Sequence, residues 1–279
     1  MINYETMKKY LRRIAISFAA IVLFAAFLLV WAFYIEPNLL IVRNITVNDS
    51  QLSGVRIAYI SDIHACQNDS DFLKKLVKKV NSQNPDIILL GGDYVVVDIY
   101  KNKTMEPKKI IQHFSELKAK HGIFMVLGNH ENSRGIAKEI IDATKGTGII
   151  VLLNKNTKLK INGKNVCIVG IADFCSAQHR IEQAFAGAEK PIIAFTHSPD
   201  LFPQIPEGVN FVFAGHTHGG QVSLPFYGPL ARPRHLIGAY SKGFYEENSK
   251  KMFVSSGVGT SHLKVRLFNI PEIVVADFK

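Results

Sequence analysis

Val209-Asn210-Phe211-Val212-Phe213-Ala214-Gly215-His216-Thr217-His218-Gly219-Gly220-Gln221 is the stretch around which the rest of the chain is ordered. Its first six residues are short, apolar and β-prone, and read as a buried strand. The run stops on a glycine, two histidines one residue apart, and two more glycines. Residues i and i+2 of an extended segment project to the same side, so this strand end delivers two imidazoles together. Such a pair is half of a metal site, but standing by itself it is as readily a solvated turn. What separates the two readings is whether other strands end in the same way.

Four others do. Residues 55–60 run into Ser61-Asp62-Ile63-His64, and Ile87-Ile88-Leu89-Leu90 runs into Gly91-Gly92-Asp93. Residues 123–127 run into Gly128-Asn129-His130-Glu131, and residues 191–195 into Thr196-His197. Between them lie segments with helical periodicity. Over residues 71–80, Phe72, Leu73, Leu76, Val77 and Val80 share one face, and four lysines share the solvated other. Further helices are predicted over 104–120, 133–144 and about 178–185. Strands are predicted over 149–153, 157–161, 166–171, 252–255 and 273–278, with Asn162-Gly163 as a hairpin turn. The alternation predicts one α/β domain over residues 45–279. In α/β sheets the carboxyl ends of neighbouring strands converge on one rim, where ligands bind.

Gathered on that rim, two carboxylates, an amide and several imidazoles make a cage of oxygen and nitrogen donors. These are borderline-hard ligands that suit Zn, Mn or Fe(II) rather than thiophilic ions. Without a cation, two carboxylates about 4 Å apart repel by roughly 4 kcal/mol at an effective dielectric of 20. Metal makes sense of the cluster.

The N-terminal part is of another kind. Residues 14–35 form a run of 22 without a charge, about 33 Å as a helix, enough for a bilayer core of about 30 Å. Lys8, Lys9, Arg12 and Arg13 precede it, and Trp31 and Tyr34 sit near its far end as interfacial anchors. A cleavable signal would have a shorter apolar core and a small-residue cleavage site. The expected organisation is a tail at 1–13, a single-pass membrane anchor at 14–35, a linker at 36–44 and the α/β domain beyond. The basic flank predicts a cytoplasmic N-terminus and an extracytoplasmic domain.

Composition narrows the partners. The formal charge of +10 over 279 residues fits an anionic membrane surface and phosphorylated substrates. No basic patch interleaved with aromatic residues is present, so no nucleic-acid partner is expected. Cys66, Cys167 and Cys175 show no CxxC spacing, which argues against a disulfide framework. Cys66 reads as a pocket wall near His64, and Asp173 as a turn former or a support to the site. Arg232, Arg234 and His235 crowd a proline-containing loop that faces phosphate, lipid headgroups or solvent. His113, His121, His179 and His262 read as surface residues.

The blocks Asp62-x-His64, Gly92-Asp93, Gly128-Asn129-His130-Glu131, His197 and Gly215-His216-Thr217-His218 stand in the order found in calcineurin-like metallophosphoesterases, which this chain resembles over residues 55–220. Beyond them, Leu224-Pro225, residues 240–243, 256–261 and 271–273 are similar to a membrane-anchored bacterial subgroup of UDP-2,3-diacylglucosamine hydrolases and broad phosphodiesterases. It departs from that subgroup at His262, where a small residue is usual, and near Lys264, where a proline is. The resemblance implies two mixed β-sheets sandwiched between helices, and two divalent ions (Mn, Zn or Fe). It implies Asp62, His64 and His218 on one ion, Asn129, His197 and His216 on the other, and Asp93 between them. His130 would be catalytic rather than a ligand, giving a hydrogen bond or proton to the phosphate or its leaving oxygen, oriented by an acidic neighbour. The implied reaction is hydrolysis of a phosphodiester or diphosphate bond by hydroxide from a water shared between the ions. Its substrate would be a phosphorylated small molecule or a lipid. A scaffold that had lost turnover would be expected to lack one of these ligands, and none is missing.

Overall fold

The computed structural model describes residues 3–96, 103–230 and 240–279; Arg232, Arg234 and His235 lie outside them. The apolar segment is helical from Tyr4 to Val30 (α1), so the helix starts ten residues before the uncharged run. Asn3 caps it by accepting the Glu5 N–H at 2.9 Å. One wide helical turn over Trp31–Ile35 and a tight one over Glu36–Asn38 follow.

The stretch expected as a linker is built into the domain. Strand β1 (Ile41–Val47) pairs in parallel with the last strand, β14 (Glu272–Phe278). Then come β2 (Arg56–Ile60), α2 (Ser70–Asn81), β3 (Ile87–Leu90), α3 (Pro107–Phe114), β4 (Ile123–Met125), α4 (Asn129–Ser133), α5 (Ala137–Thr144) and β5 (Ile149–Val151). These strands form a sheet in the order β1-β14-β2-β3-β4-β5, in which β2 to β5 run parallel and β14 is antiparallel to β2. A second sheet takes β6 (Lys155–Ile161), β7 (Lys164–Ile171), β8 (Ile192–Thr196), β9 (Phe211–Ala214), β12 (Gly243–Glu247) and β13 (Lys250–Val254). Its order is β12-β13-β9-β8-β7-β6. Helix α6 (Ile181–Phe185) covers it, and β10 (Ser223–Leu224) and β11 (Gly228–Pro229) form a small separate hairpin.

Period-two alternation explains the layering. In β2 and β3, Ile57, Tyr59, Ile87 and Leu89 point toward the second sheet and meet Ile168, Phe195, Phe211 and Phe213 there. Their neighbours Ala58, Ile60, Ile88 and Leu90 point the other way, onto Leu73, Leu76 and Val77 of α2 and Ile110 and Phe114 of α3. The outer face of the second sheet packs on Ala184, Leu201 and Phe202. Two mixed sheets thus lie between helical layers.

Two helices are shorter than their periodicity predicts. After Phe114, Ser115 Oγ–H donates back to the Gln112 carbonyl at 2.7 Å, and Asn81 of α2 bonds both the Glu116 carbonyl and the Lys118 N–H. Side chains therefore take the backbone groups that helix continuation needs. The predicted helix over 133–144 divides at Gly135, whose φ is +68°, between α4 and α5.

Candidate metal centre

The five strand ends meet at the carboxyl edges of both sheets. The loops after β2 and β3 are zipped together: the N–H groups of Asp62, Ile63, His64 and Ala65 donate to carbonyls of Gly92, Asp93 and Tyr94 at 2.8–3.0 Å. Five of the seven predicted ligands, Asp62, His64, Asp93, His216 and His218, hold φ between 48° and 70°. Left-handed backbone is uncommon for residues with a Cβ, and it clusters where surrounding structure imposes it for function. Two motif glycines permit the close approach. A Cβ on Gly128 would stand 2.1 Å from Asp93 Oδ1, and one on Gly215 2.4 Å from Asp62 Oδ2.

All the predicted site residues come together. His64 Nε2 and His218 Nε2 are 2.9 Å apart, and Asp62 Oδ1 is 3.5 Å from His218 Nε2. On the other side, His197 Nε2 lies 3.1 Å from both His216 Nδ1 and Asn129 Oδ1. Asp93 Oδ2 stands between the groups, 3.2 Å from His197 Nε2 and 3.7 Å from His64 Nε2. His130 Nε2 is also 3.7 Å from that oxygen. The carboxylates and imidazoles fall into three overlapping donor groups: Asp62–His64–His218, His64–Asp93–His130 and Asp93–His197–His216.

The donors are prepared for a cation. His197 Nδ1–H faces the Gly91 carbonyl at 2.9 Å, and His64 Nδ1–H faces the Val95 carbonyl at 3.3 Å. Both rings therefore turn Nε2 inward, and a backbone partner behind a ligating imidazole fixes its tautomer. Burial, reinforced by the neighbouring imidazoles, holds His64 and His218 far below the usual histidine range, as neutral donors. Burial also pushes the Asp62 carboxyl up to about 6, with Asp93 adding to the rise and His197 opposing it. Asp93 goes the other way: burial raises it, but His197, His130 and His64 outweigh that and hold it well below the carboxylate range. Its partner His197 is raised despite burial, by Asp93. Without a cation, Asp93 and His197 form an ion pair, and the His197 proton must leave when its lone pair is taken.

The set fits divalent metal. Ligand distances of about 2.0–2.2 Å place adjacent donors of one ion about 3.0–3.5 Å apart, and the separations here bracket that range. Two imidazole nitrogens facing each other at 2.9 Å share at most one proton in the neutral state, which leaves a lone pair directed inward.

Several contributors are not among the predicted site residues. Glu131, next to His130, is fully buried, and its carboxylate accepts the backbone N–H groups of Asp93, Tyr94, Val95 and Gly128 at 2.7–3.2 Å. The His130 ring has the Val95 carbonyl at 3.3 Å from Nδ1. Fully buried Arg266 donates to the carbonyls of Ser256 and Asn269 and lies 3.4 Å from His218 Nδ1. Cys175 Sγ lies 3.7 Å from His216 Nε2; burial and nearby carboxylates push its thiol up to about 12, so it stays protonated. An S–H donor behind a ligand and a lone arginine in a loop leave no pattern to find. Cys66 borders the space next to His64, and Asp173 closes the turn to Ser176 through Oδ2. His113, His121 and His179 stand outside the donor groups.

Comparison with known proteins agrees with this geometry. The profile of the family described as calcineurin-like phosphoesterase matches residues 55–220. The chain is 28% identical over 266 residues to "uncharacterized metallophosphoesterase YkuE" of Bacillus subtilis, covering 89% of each chain. It is 26% identical over 309 residues to "UDP-2,3-diacylglucosamine pyrophosphatase LpxG" of Chlamydia trachomatis, covering 88% of this chain and 91% of the relative. An uncharacterized metallophosphoesterase of Campylobacter jejuni is 30% identical over 237 residues, covering 81% of this chain and 59% of its own length. With the strand-end blocks assembled on one rim and the family profile spanning them, the chain belongs to the calcineurin-like phosphoesterases and is a phosphate-ester hydrolase.

Proposed function

We propose that this is a membrane-anchored phosphoesterase cleaving phosphodiester or diphosphate bonds of a lipid-linked or nucleotide-lipid substrate. Two divalent ions (Mn, Zn or Fe) would be held by Asp62, His64 and His218 and by Asn129, His197 and His216, with Asp93 available to both groups. The observation carrying this reading is the position of Asp93 Oδ2, between a His64 and a His197 that both turn Nε2 inward. When bound, such ions lower the pKa of a water and neutralise phosphoryl oxygens. The remaining work belongs to the chain. Asp62, fixed by the His216 N–H on both its oxygens at 3.0 and 3.1 Å, and Asp93 supply the negative charge. His130 meets the substrate. Its side chain is more exposed than those of His64 and His197, and with Nδ1–H directed at Val95 it presents Nε2. Donation from that atom to a phosphoryl or leaving oxygen uses the doubly protonated ring.

The anchor and the lipid substrate rest on separate support. Helix α1 is long and apolar enough to cross a membrane, and none of its residues is buried against the rest of the chain. The Chlamydia trachomatis relative is named a UDP-2,3-diacylglucosamine pyrophosphatase. The basic residues before α1 favour an extracytoplasmic domain. Alkaline phosphatase joined after Lys279 should then be active in cells; activity only from a cytoplasmic reporter would reverse the orientation.

The catalytic reading is tested on the full-length protein in detergent with Mn²⁺, using bis-p-nitrophenyl phosphate beside UDP-2,3-diacylglucosamine. His130→Ala should keep its bound metal and lose about 10²–10⁴-fold in turnover, the range for a general acid. His197→Ala should lose metal by elemental analysis. If His130→Ala sheds metal just as His197→Ala does, His130 is a ligand and the division of roles is wrong.

A further inference from the structure

Helix α1 does not end as a free tether. Trp31 Nε1–H donates to Glu36 at 2.7 Å, and the buried Glu36 carboxylate accepts the backbone N–H groups of Phe268 and Asn269. The Ala32 carbonyl accepts the Arg266 N–H at 2.9 Å. The Arg266 guanidinium reaches His218, and the Asn269 amide donates to the His218 carbonyl. A few hydrogen bonds therefore fix the foot of the helix to the 266–269 loop, which in turn bonds the proposed metal ligand His218.

Next to this junction opens a cleft of about 300 Å³. It runs from Pro37 and Asn38, in the tight turn beyond α1, to His64 in the metal centre, with Phe72 and Val258 on its walls and Lys264 at its rim. Lys264 is exposed and has no ion-pair partner among the described residues. His262, also on the cleft, has its ring centre 6.5 Å from that of His130. The surface around the foot is apolar: Leu263, Phe268 and, at the tip of the β10–β11 hairpin, Phe226 and Tyr227 are exposed. The hairpin belongs to the same face, because Val222 bridges Leu267 and Ser223 N–H donates to the Leu267 carbonyl. An exposed apolar face continuous with an apolar helix is covered when the bilayer that holds the helix meets it.

We propose that this cleft admits the headgroup of a membrane-embedded phosphate amphiphile, whose apolar part stays in the leaflet that α1 leaves. The inference rests on α1 spanning a membrane and deepens the substrate reading above. Its volume lies at the small end for ligand clefts, too small for a whole two-chain lipid, so the tails remain outside. The unpaired Lys264 draws the anionic group toward the mouth, and the rigid foot keeps that mouth at the bilayer surface.

The test uses two phosphodiesters with one scissile bond, hexadecyl p-nitrophenyl phosphate in phosphatidylcholine vesicles and methyl p-nitrophenyl phosphate in water. The full-length protein is reconstituted in the same vesicles with Mn²⁺. The hexadecyl ester should show at least about tenfold higher kcat/KM, because its tail holds it in the leaflet beside the mouth of the cleft. Asn38→Trp and Thr260→Trp, which narrow the cleft, should each remove most of that preference. Lys264→Glu, at an exposed position that leaves folding intact, should raise KM for the hexadecyl ester about fivefold. Equal rates on the two esters, or a preference that survives all three substitutions, overturn the proposal while leaving the phosphoesterase reading standing. Failure to cleave either ester removes both.

Discussion

Asp93→Asn should lower kcat/KM on bis-p-nitrophenyl phosphate by about 10³-fold or more, equivalent to about 4 kcal/mol of transition-state stabilisation. Asparagine keeps the shape of the side chain, and its remaining oxygen still accepts the His130 N–H that Asp93 Oδ1 takes at 2.9 Å. What changes is the atom facing His197 and His64 at 3.2 and 3.7 Å. An NH₂ group there points protons at the neutral His64 imidazole, takes the ion-pair partner from His197, and removes one of the two carboxylate charges in the cluster. A unit charge lost about 4 Å from a dication costs on the order of 8 kcal/mol at an effective dielectric of 20, more than the predicted fall requires. Metal content, read by elemental analysis, should drop in parallel. An Asp93→Asn protein within tenfold of the parent and carrying as much metal would refute a shared ligand at this position.

Why this centre was legible, and much around it was not, follows from range. Each candidate ligand lies within four residues of the end of a short apolar strand, so local pattern placed Asp62, Asp93, Asn129, His197 and His216 on one rim before any contact was known. The motif glycines Gly128 and Gly215 owe their identity to the fold, since a Cβ at either would enter a carboxylate from another strand end, Asp93 or Asp62. Residues 41–44, the first part of β1, read as linker because the sequence of that strand, Ile-Val-Arg-Asn-Ile-Thr-Val, gives a weak signal and its partner β14 lies at the other end of the chain. The early end of α3 depends on Asn81 in another helix. Arg266 and Glu36 acquire their roles only once the C-terminal loop folds onto the foot of α1. Sequence pattern reports which face of an element is buried, whereas a buried hydrogen bond between distant loops leaves no period.

Glu131→Ala should be among the most destabilising single substitutions in the domain, by about 4 kcal/mol. The Glu131 carboxylate is fully buried and accepts four backbone N–H groups, three of them from the Asp93–Val95 segment and one from Gly128. Each buried donor left without a partner costs about 1–3 kcal/mol, and water entering the vacated space recovers part of that sum. At about 2–4 °C per kcal/mol for a domain of this size, thermal unfolding in detergent should shift down by about 10 °C. Glu131→Gln should fall between, because its one oxygen satisfies some of the donors while its NH₂ confronts others. The effect should reach the chemistry too: the segment it secures carries Asp93 and presents the Val95 carbonyl to both His64 and His130. A loss below about 1 kcal/mol would mean that the loop holds its left-handed Asp93 without the carboxylate. Four converging N–H groups around one buried anion make that outcome hard to reconcile with the cost of leaving amides dry.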